Sequence, residues 1–467
     1  MGNMNQPASE LVIDPALIRK YDVSGPRYTS YPTADRFVEA FGEADCKHWL
    51  GKRNIGGINQ PLSVYVHLPF CDTICYYCGC NKVVTRDHGR SSKYIKYVAR
   101  ELALYAAQLG PDRRVCQLHF GGGTPTFLSA DELRELTSAL WGQLSRESDC
   151  ECSIEVDPRK VDPGRMALLG ELGFNRLSVG VQDFDPEVQQ AVHRIQSEAQ
   201  TRMVIDEARA NGFGSVNLDL IYGLPRQTFA SFSRTLETVI DISPDRIALY
   251  SYAHLPSLFK PQRRIAEAEL PKPDEKLAIL TSSIRRLTDA GYVYIGMDHF
   301  AKPDDDLAVA QRQGRLQRNF QGYSTRPDSD MLSLGVSAIG KIGPTYYQNV
   351  KRLDEYYDQL DAGRLPVLRG MELSQDDLLR RAVIQGLICH FRLSIESIEL
   401  SYLIDFRRHF AAEMADLEAL AAEGLVEITP DWIVVTPKGR LIVRAVCMVF
   451  DRYLRASRER NRYSRVI

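Results

Sequence analysis

Six short apolar runs, Leu62–His67, Val115–Phe120, Cys152–Val156, Arg176–Gln182, Val216–Ile221 and Arg246–Tyr252, punctuate the first two thirds of this chain. Helical patterns separate them. Ile95, Val98, Leu102 and Tyr105 step by three or four residues and so share one helix face. Asp162 and Pro163 open another helix, which Gly173 ends. Leu277, Leu280, Ile284 and Leu287 mark a helix after the sixth run, closed by Gly291. Consecutive strand–helix units call for an α/β fold, a parallel sheet with helices outside. That allows an open doubly wound sheet or a barrel, complete or partial.

Working residues in such folds collect at the carboxyl ends of strands. Cys71, Cys75 and Cys78 follow the first strand in PFCDTICYYCGCNK, with Cys80 two residues on. Gly121-Gly122-Gly123-Thr124-Pro125 follows the second. Glu155 and Asp157 close the third, and Gln182 and Asp183 the fourth. Asp219 lies in the fifth, before Tyr222-Gly223-Leu224-Pro225, while Ala253 and His254 follow the sixth. One strand-end carboxylate means little; polar residues at all six ends, converging on one rim, mark a site.

The cysteine spacing is C-x3-C-x2-C. Zinc sites draw their thiolates from two separated pairs, and bacterial ferredoxins use C-x2-C-x2-C-x3-C-P. Neither matches. Three thiolates can hold a four-iron cluster and leave one iron without a protein ligand, where chemistry can occur. Glycines let a ligand approach the backbone closely, and free N–H groups in GGGTP are expected to meet that ligand. Alone, GGGTP reads as a tight strand-to-helix turn.

The 467 residues exceed one simple core and suggest two or three domains. Net charge is −2, which gives no bulk electrostatic case for nucleic acid or membrane. No apolar run is long enough to span a bilayer, and MGNMNQPASELVID has no signal pattern. Four of the 10 cysteines fall between Cys71 and Cys80, so a reducing cytoplasm is expected rather than a disulfide framework. Cys116, Cys152, Cys389 and Cys447 read as buried hydrophobes. The expected divisions are an arm over 1–60 packing on the main domain, a strand–helix domain over 61–300, an extension closing the site over 301–372, and a helical domain over 373–467. The last ends in GLVEITPDWIVVTPKGR, a small wing. Helices with a wing resemble a DNA-binding module, but a cap on a catalytic domain is the simpler reading.

C-x3-C-x2-C after the first strand of a repeated β/α domain resembles the radical SAM superfamily. YVHLPFCDTICYYCGCNK, LHFGGGTPT, IEVDPR, RLSVGVQDF, VHRIQ, LDLIYGLP, YAHLP, GMDHFA, RNFQGY, the terminal YSRVI and the arm SGPRYTSYPTA narrow the resemblance to oxygen-independent coproporphyrinogen III oxidases, over nearly the whole chain. The resemblance implies a partial (β/α)6 barrel with a mostly helical C-terminal domain. It implies a cytoplasmic, monomeric oxidoreductase that decarboxylates two propionates of coproporphyrinogen III to vinyls, giving protoporphyrinogen IX in haem biosynthesis. A [4Fe-4S] cluster would bind S-adenosylmethionine (SAM) and cleave it to methionine and a 5′-deoxyadenosyl radical. An electron donor and a terminal acceptor are implied but not named.

Carried over by motif, Cys71, Cys75 and Cys78 ligate the cluster. Tyr65, Gly122, Glu155 and Ile339 contact the cleaved SAM. A second SAM meets Tyr77, Gly123, Thr124, Gln182, Arg194, Asp219 and Ala253. Tyr65, Glu155 and Cys80 form the catalytic set. Relatives often carry Phe at the position of Tyr77, within CYFC; tyrosine keeps the ring. Arg27, Lys82, Arg318 and the tail from Arg455 to Arg465 are candidates for meeting propionates. Haem-carrying relatives share the loop, but usually read CDF after the third cysteine, where this chain has Gly79-Cys80-Asn81-Lys82.

Overall fold

The computed structural model describes residues 11–53, 60–326 and 329–456. They form two compact units. One takes in the described residues within Phe37–Lys272 and Asp328–Glu372, the other those within Met1–Arg36, Pro273–Pro327 and Leu373–Ile467.

The first unit is built on a sheet of strands β1 (Leu62–Leu68), β2 (Arg114–Gly122), β3 (Ser145–Val156), β4 (Arg176–Gln182), β5 (Ser215–Tyr222), β6 (Arg246–Ser251), β7 (Asp330–Leu334), β8 (Ile339–Ile342), β9 (Thr345–Asn349) and β10 (Val367–Glu372). Its order is β10-β9-β8-β7-β1-β2-β3-β4-β5-β6. Strands β1 to β6 pair in parallel, each with the next, as the alternation predicts. β1 pairs on its other edge with β7 and not with β6, so the array stays open, a partial barrel. β8 to β10 add an antiparallel edge. β7 and β8 are not legible in the sequence, because glycines interrupt LSLGVSAIGKIG and a broken run reads as loop, and β9 and β10 fall within the stretch expected as an extension.

Helices Ala130–Trp141 and Glu198–Ala210 begin at capping boxes, Ser129 with Glu132 and Ser197 with Gln200. Asp162 caps Pro163–Glu171. Along β4, Leu177, Val179 and Val181 are buried in alternation with the half-buried Ser178, Gly180 and Gln182. Along β5, Leu218 and Leu220 alternate with Asn217 and Asp219. The strand period thus puts apolar residues on one face and polar or small ones on the other. Burying each valine or leucine contributes about 1.5–3 kcal/mol.

Glu101, on helix Gly89–Ala106, is fully buried. It accepts from Gly335 N at 2.7 Å, Asn349 Nδ2 at 2.7 Å and Tyr356 Oη at 2.6 Å. These bonds pin the β7–β8 turn and so hold β7 beside β1. Burial pushes the Glu101 carboxyl up to about 7, against the pull of the three donors. A raised carboxyl favours the folded state most below the unfolded value, and that stability is lost as pH climbs to about 7. Glu101→Gln removes the titration. The stability difference between wild type and variant, from urea midpoints, should therefore shrink by ~2–3 kcal/mol from pH 5 to pH 8. An unchanged difference would mean that Glu101 does not titrate in this range.

The second unit is mostly helical, with Pro15–Tyr21, Pro273–Asp289, Gln375–His390, Ile395–Tyr402, Ala411–Ala422 and Val443–Val449. A three-stranded antiparallel wing runs Arg392–Ser394, Trp432–Val435, Val426–Ile428. The chain divides differently from the boundaries expected of it. The described arm residues up to Arg36 belong with this helical unit, not with the sheet. Tyr28 and Tyr31 are each 1% exposed, and Tyr28 Oη donates to Asp451 at 3.1 Å. From Phe37 the chain joins the sheet unit, where Phe37 stacks on Tyr346 at 5.8 Å and Val38 bridges to Gly370. Among the described residues, no helix is long and apolar enough to cross a membrane.

Candidate active site

The cysteine loop is closed at its base. Phe70–Cys71 pairs with Val83–Val84, Val83 N donates to Pro69 O at 2.7 Å, and Thr85 N to Cys71 O at 2.9 Å. Cys71, Cys75, Cys78 and Cys80 all open on one cleft of about 290 Å³. Each of the first three thiols has a polar neighbour. Thr124 Oγ1 donates to Cys71 Sγ at 3.5 Å. Arg194 Nη1 and Arg159 Nη2 approach Cys75 Sγ at 3.5 and 3.9 Å. A bond from Cys80, helped by Lys82, brings the Cys78 thiol down to about 6, while burial pushes Cys71 up to about 11. Thiolates are the metal-ligating form. A loop with three guanidinium or ammonium groups beside it suits three thiolates, so the donor set fits the cluster that its spacing implies.

Gly122 and Gly123 form the wall facing the loop. Gly122 has φ +117°, and a Cβ there would stand 2.6 Å from the His67 ring. A Cβ on Gly123 would stand 2.7 Å from Phe70 O and from the Pro69 carbonyl. The free N–H groups expected here are absent. Gly122 N donates to Glu155 Oε2 at 3.1 Å, Gly123 N to Leu68 O and Thr124 N to Phe70 O, both at 2.8 Å. Glu155, the end of β1 and the Phe70 carbonyl take one amide each, and the missing side chains of Gly122 and Gly123 let the turn pack directly on His67 and on the backbone that leads into Cys71.

Glu155 sits at the centre of the polar face. Its side chain is 43% exposed, opening into the cleft. Partial burial works against its charge, but bonds from His119 and Gly122 N outweigh it and hold the carboxyl below its usual range. Register builds the surroundings: Ser333, Tyr65, His119 and Ser153 stand side by side across β7, β1, β2 and β3. Tyr65 stacks on His119 with ring centroids 5.7 Å apart. Its hydroxyl meets His67 Nδ1 at 3.0 Å, and His67 Nε2 meets Asn81 O at 3.0 Å. A carbonyl only accepts, so Nε2 carries the proton and Nδ1 accepts from Tyr65. Burial lowers the His67 pKa and keeps the ring neutral. His67 thereby ties the turn after Cys80 to β1.

Opposite stand Arg194, Asp157, Gln182 and Asp219. Arg194 is 7% exposed, donates to Gly180 O at 2.6 Å and pairs with Asp157 at 3.2 Å. Asp219 accepts from Ser178 at 3.1 Å and Asn217 at 2.8 Å. Burial, then the charge of Glu155, pushes the Asp219 carboxyl up to about 7. Gln182 has φ +70°, a left-handed conformation, and its Oε1 is buried without a hydrogen-bond partner, as is Arg194 Nε. Such atoms have bonding capacity to spare for a ligand.

The cleft gathers most of the residues singled out from sequence: Cys71, Cys75, Cys78, Cys80, Tyr77, Gly122, Gly123, Thr124, Glu155, Gln182, Arg194 and Asp219. Tyr65, Ala253 and Ile339 are not in its lining. Tyr65 stacks on His119, whose Nε2 meets the cleft-lining Glu155 at 3.4 Å, and Ile339 O accepts from Ser333, the register neighbour of Tyr65. Lys82 lies at the cleft, donating to Cys78 O and Cys80 O at 3.2 Å. Arg27 and Arg318 lie in the helical unit. YSRVI and the tail beyond Ala456 fall outside the described residues. His67, His119, Arg159, Ser178 and Asn217 were missed. For His119, Ser178 and Asn217 the signal is the polar alternation in QLHF, RLSVGVQ and NLDLIY, and for His67 its place two residues after Tyr65 in YVHLP; Arg159 lies in the turn after Asp157, where no periodicity marks it.

The radical SAM superfamily matches residues 65–239 and the HemN C-terminal domain residues 373–442. An oxygen-independent coproporphyrinogen III oxidase from Pseudomonas aeruginosa is 53% identical over 456 residues, 97% of this chain and 98% of that one. The protein so named from Escherichia coli is 49% identical over 454 residues, again 97% and 98%. A solved structure of Escherichia coli coproporphyrinogen III oxidase, described as a radical SAM enzyme, has TM-score 0.91 and 47% identity, covering 95% of this chain and 100% of that one. Identity of this order along almost the whole of both chains decides the matter: the chain belongs to the oxygen-independent coproporphyrinogen III oxidases of the radical SAM superfamily.

Proposed function

We propose that this protein oxidatively decarboxylates two propionates of coproporphyrinogen III to vinyl groups, giving protoporphyrinogen IX without oxygen. One observation carries the reading: three thiols, a glycine wall, the half-exposed Glu155 and the buried Arg194 share one cleft at the strand ends of a parallel array. Cys71, Cys75 and Cys78 would hold the [4Fe-4S] cluster. When bound, the cluster and SAM supply one-electron cleavage and, with it, a carbon radical that can take hydrogen from an unactivated carbon. The chain supplies position and exclusion of water. Glu155 can accept from a ribose, Gly122 admits the ligand against the backbone, and Arg194 holds Asp157 and the Cys75 side of the loop. Cys80, beside Cys78, is assigned to turnover and not to the cluster. Activity with a low-potential donor tests the reading.

We further assign two SAM molecules to the site. Tyr65, Gly122, Glu155 and Ile339 serve the first. Tyr77, Gly123, Thr124, Gln182, Arg194, Asp219 and Ala253 serve the second; the unpartnered Gln182 Oε1 supports this. Equilibrium dialysis should find two SAM per chain, and saturation at one would remove the second site. Asp219 is neutral below about pH 7 and anionic above it. SAM is a cation, so its affinity for the second site should rise with pH, by up to about tenfold per unit below that pKa. Asp219→Asn should abolish the slope; an unchanged slope would place SAM away from Asp219. We place the protein in the cytoplasm as a monomer, reduced by an external electron donor and passing its surplus electron to an external acceptor.

A further inference from the structure

The helical unit gathers three arginines, two of them deeply buried. Arg444 is 3% exposed and Arg318 5%. Arg444 donates to the carbonyls of Gly25 and Pro26. Arg318 Nε donates to Arg27 O at 3.1 Å, and its guanidinium lies 4.7 Å over the Tyr323 ring. Arg27 pairs with Asp298. Arg318 and Arg444 thus meet backbone carbonyls and a ring face, with the Asp298 carboxylate on Arg27 and the charge of Asp22 acting on Arg444. Burial, then the charges of Arg27 and Arg318, bring Arg444 down to about 9, so the three guanidinium groups repel one another. Arg318 Nη1 is buried and has no hydrogen-bond partner.

A buried cationic donor without an acceptor is costly. The complement of clustered guanidinium groups is a carboxylate, which takes paired N–H donors in one plane. Arg27, with 32% of its side chain exposed, is the solvent-facing edge of the cluster. Asp298 already shows that this group of arginines accepts a carboxylate. We propose that Arg27, Arg318 and Arg444 form a carboxylate-binding site, with Arg318 Nη1 the donor that meets the ligand. Its identification with a propionate of the substrate rests on the oxidase reading; the site itself does not.

Two measurements on the reconstituted full chain test it. In the first, thermal unfolding is followed with sodium propionate against sodium chloride at equal ionic strength. Propionate should raise the midpoint saturably in wild type and not in Arg318→Met. In the second, coproporphyrin III, the stable oxidised tetracarboxylate, is titrated by fluorescence beside its tetramethyl ester. Loss of a charged hydrogen bond should weaken coproporphyrin III by about tenfold or more in Arg318→Met, with the ester unaffected. Both effects together assign the site to the substrate. A propionate effect alone keeps the site and assigns it to free carboxylates, and a coproporphyrin effect alone makes it specific for the substrate. Should coproporphyrin III fail to bind wild type, the oxidase reading fails while the propionate arm still decides the site. Neither effect overturns the proposal and leaves a buried water as the partner of Nη1. Arg27→Gln, at the exposed edge, repeats both arms if Arg318→Met does not fold.

Discussion

Cys75→Ser leaves the chain without a stable cluster, with iron falling from about four per chain to near zero after anaerobic reconstitution and product formation lost. The cause is local. Cys75 is the thiol that faces both Arg159 and Arg194, and its position is fixed by Cys78 N donating to its carbonyl at 3.2 Å. Two remaining thiolates cannot hold three irons. Serine keeps the fold of the loop but is a poor ligand at neutral pH, so the loss is one of ligation. Cys80→Ser provides the internal control. Cys80 opens on the same cleft, but as a non-ligand its replacement should leave iron unchanged and lower turnover. Iron content retained in Cys75→Ser would refute the ligand assignment. Iron lost in Cys80→Ser would make Cys80 a ligand and close the open iron.

Gly123→Ala has the second large effect. The new methyl would meet Phe70 O and the Pro69 carbonyl at 2.7 Å, both of them backbone, so no side-chain rotation relieves the contact. The strand end leading into Cys71 must move, and with it the bond from Gly123 N to Leu68 O. Displacements of this order at a reacting site cost on the order of a hundredfold in rate. Turnover should fall by that factor, and SAM affinity with it, while the chain still folds. Wild-type kinetics in Gly123→Ala would mean that the glycine wall does not shape the site.

The parallel array was legible because its signals are local. Arg176–Gln182 alternates strictly, and the observed strand has the same ends. The cysteine loop was legible from spacing alone. What escaped notice depends on distant partners. Glu101 reads as one more polar residue on an amphipathic helix, and only the fold brings Gly335, Asn349 and Tyr356 to it. His119 gains meaning from register, which puts Tyr65 on one side and Ser153 on the other. The free amides expected in GGGTP vanished for a similar reason, since Glu155, Leu68 and Phe70, each from another part of the chain, accept from them. The arm was expected on the main domain, but its buried tyrosines meet Asp451 and Arg452, more than four hundred residues away.

In the proposed reaction this cleft couples SAM cleavage to decarboxylation of coproporphyrinogen III. The direct test is anaerobic: reconstituted protein, SAM, a low-potential reductant and coproporphyrinogen III, with 5′-deoxyadenosine and protoporphyrinogen IX measured in the same samples. Both should accumulate together, and both should vanish in Cys75→Ser. Accumulation of 5′-deoxyadenosine with no porphyrin product, or tight stoichiometric haem binding with no turnover, would contradict it.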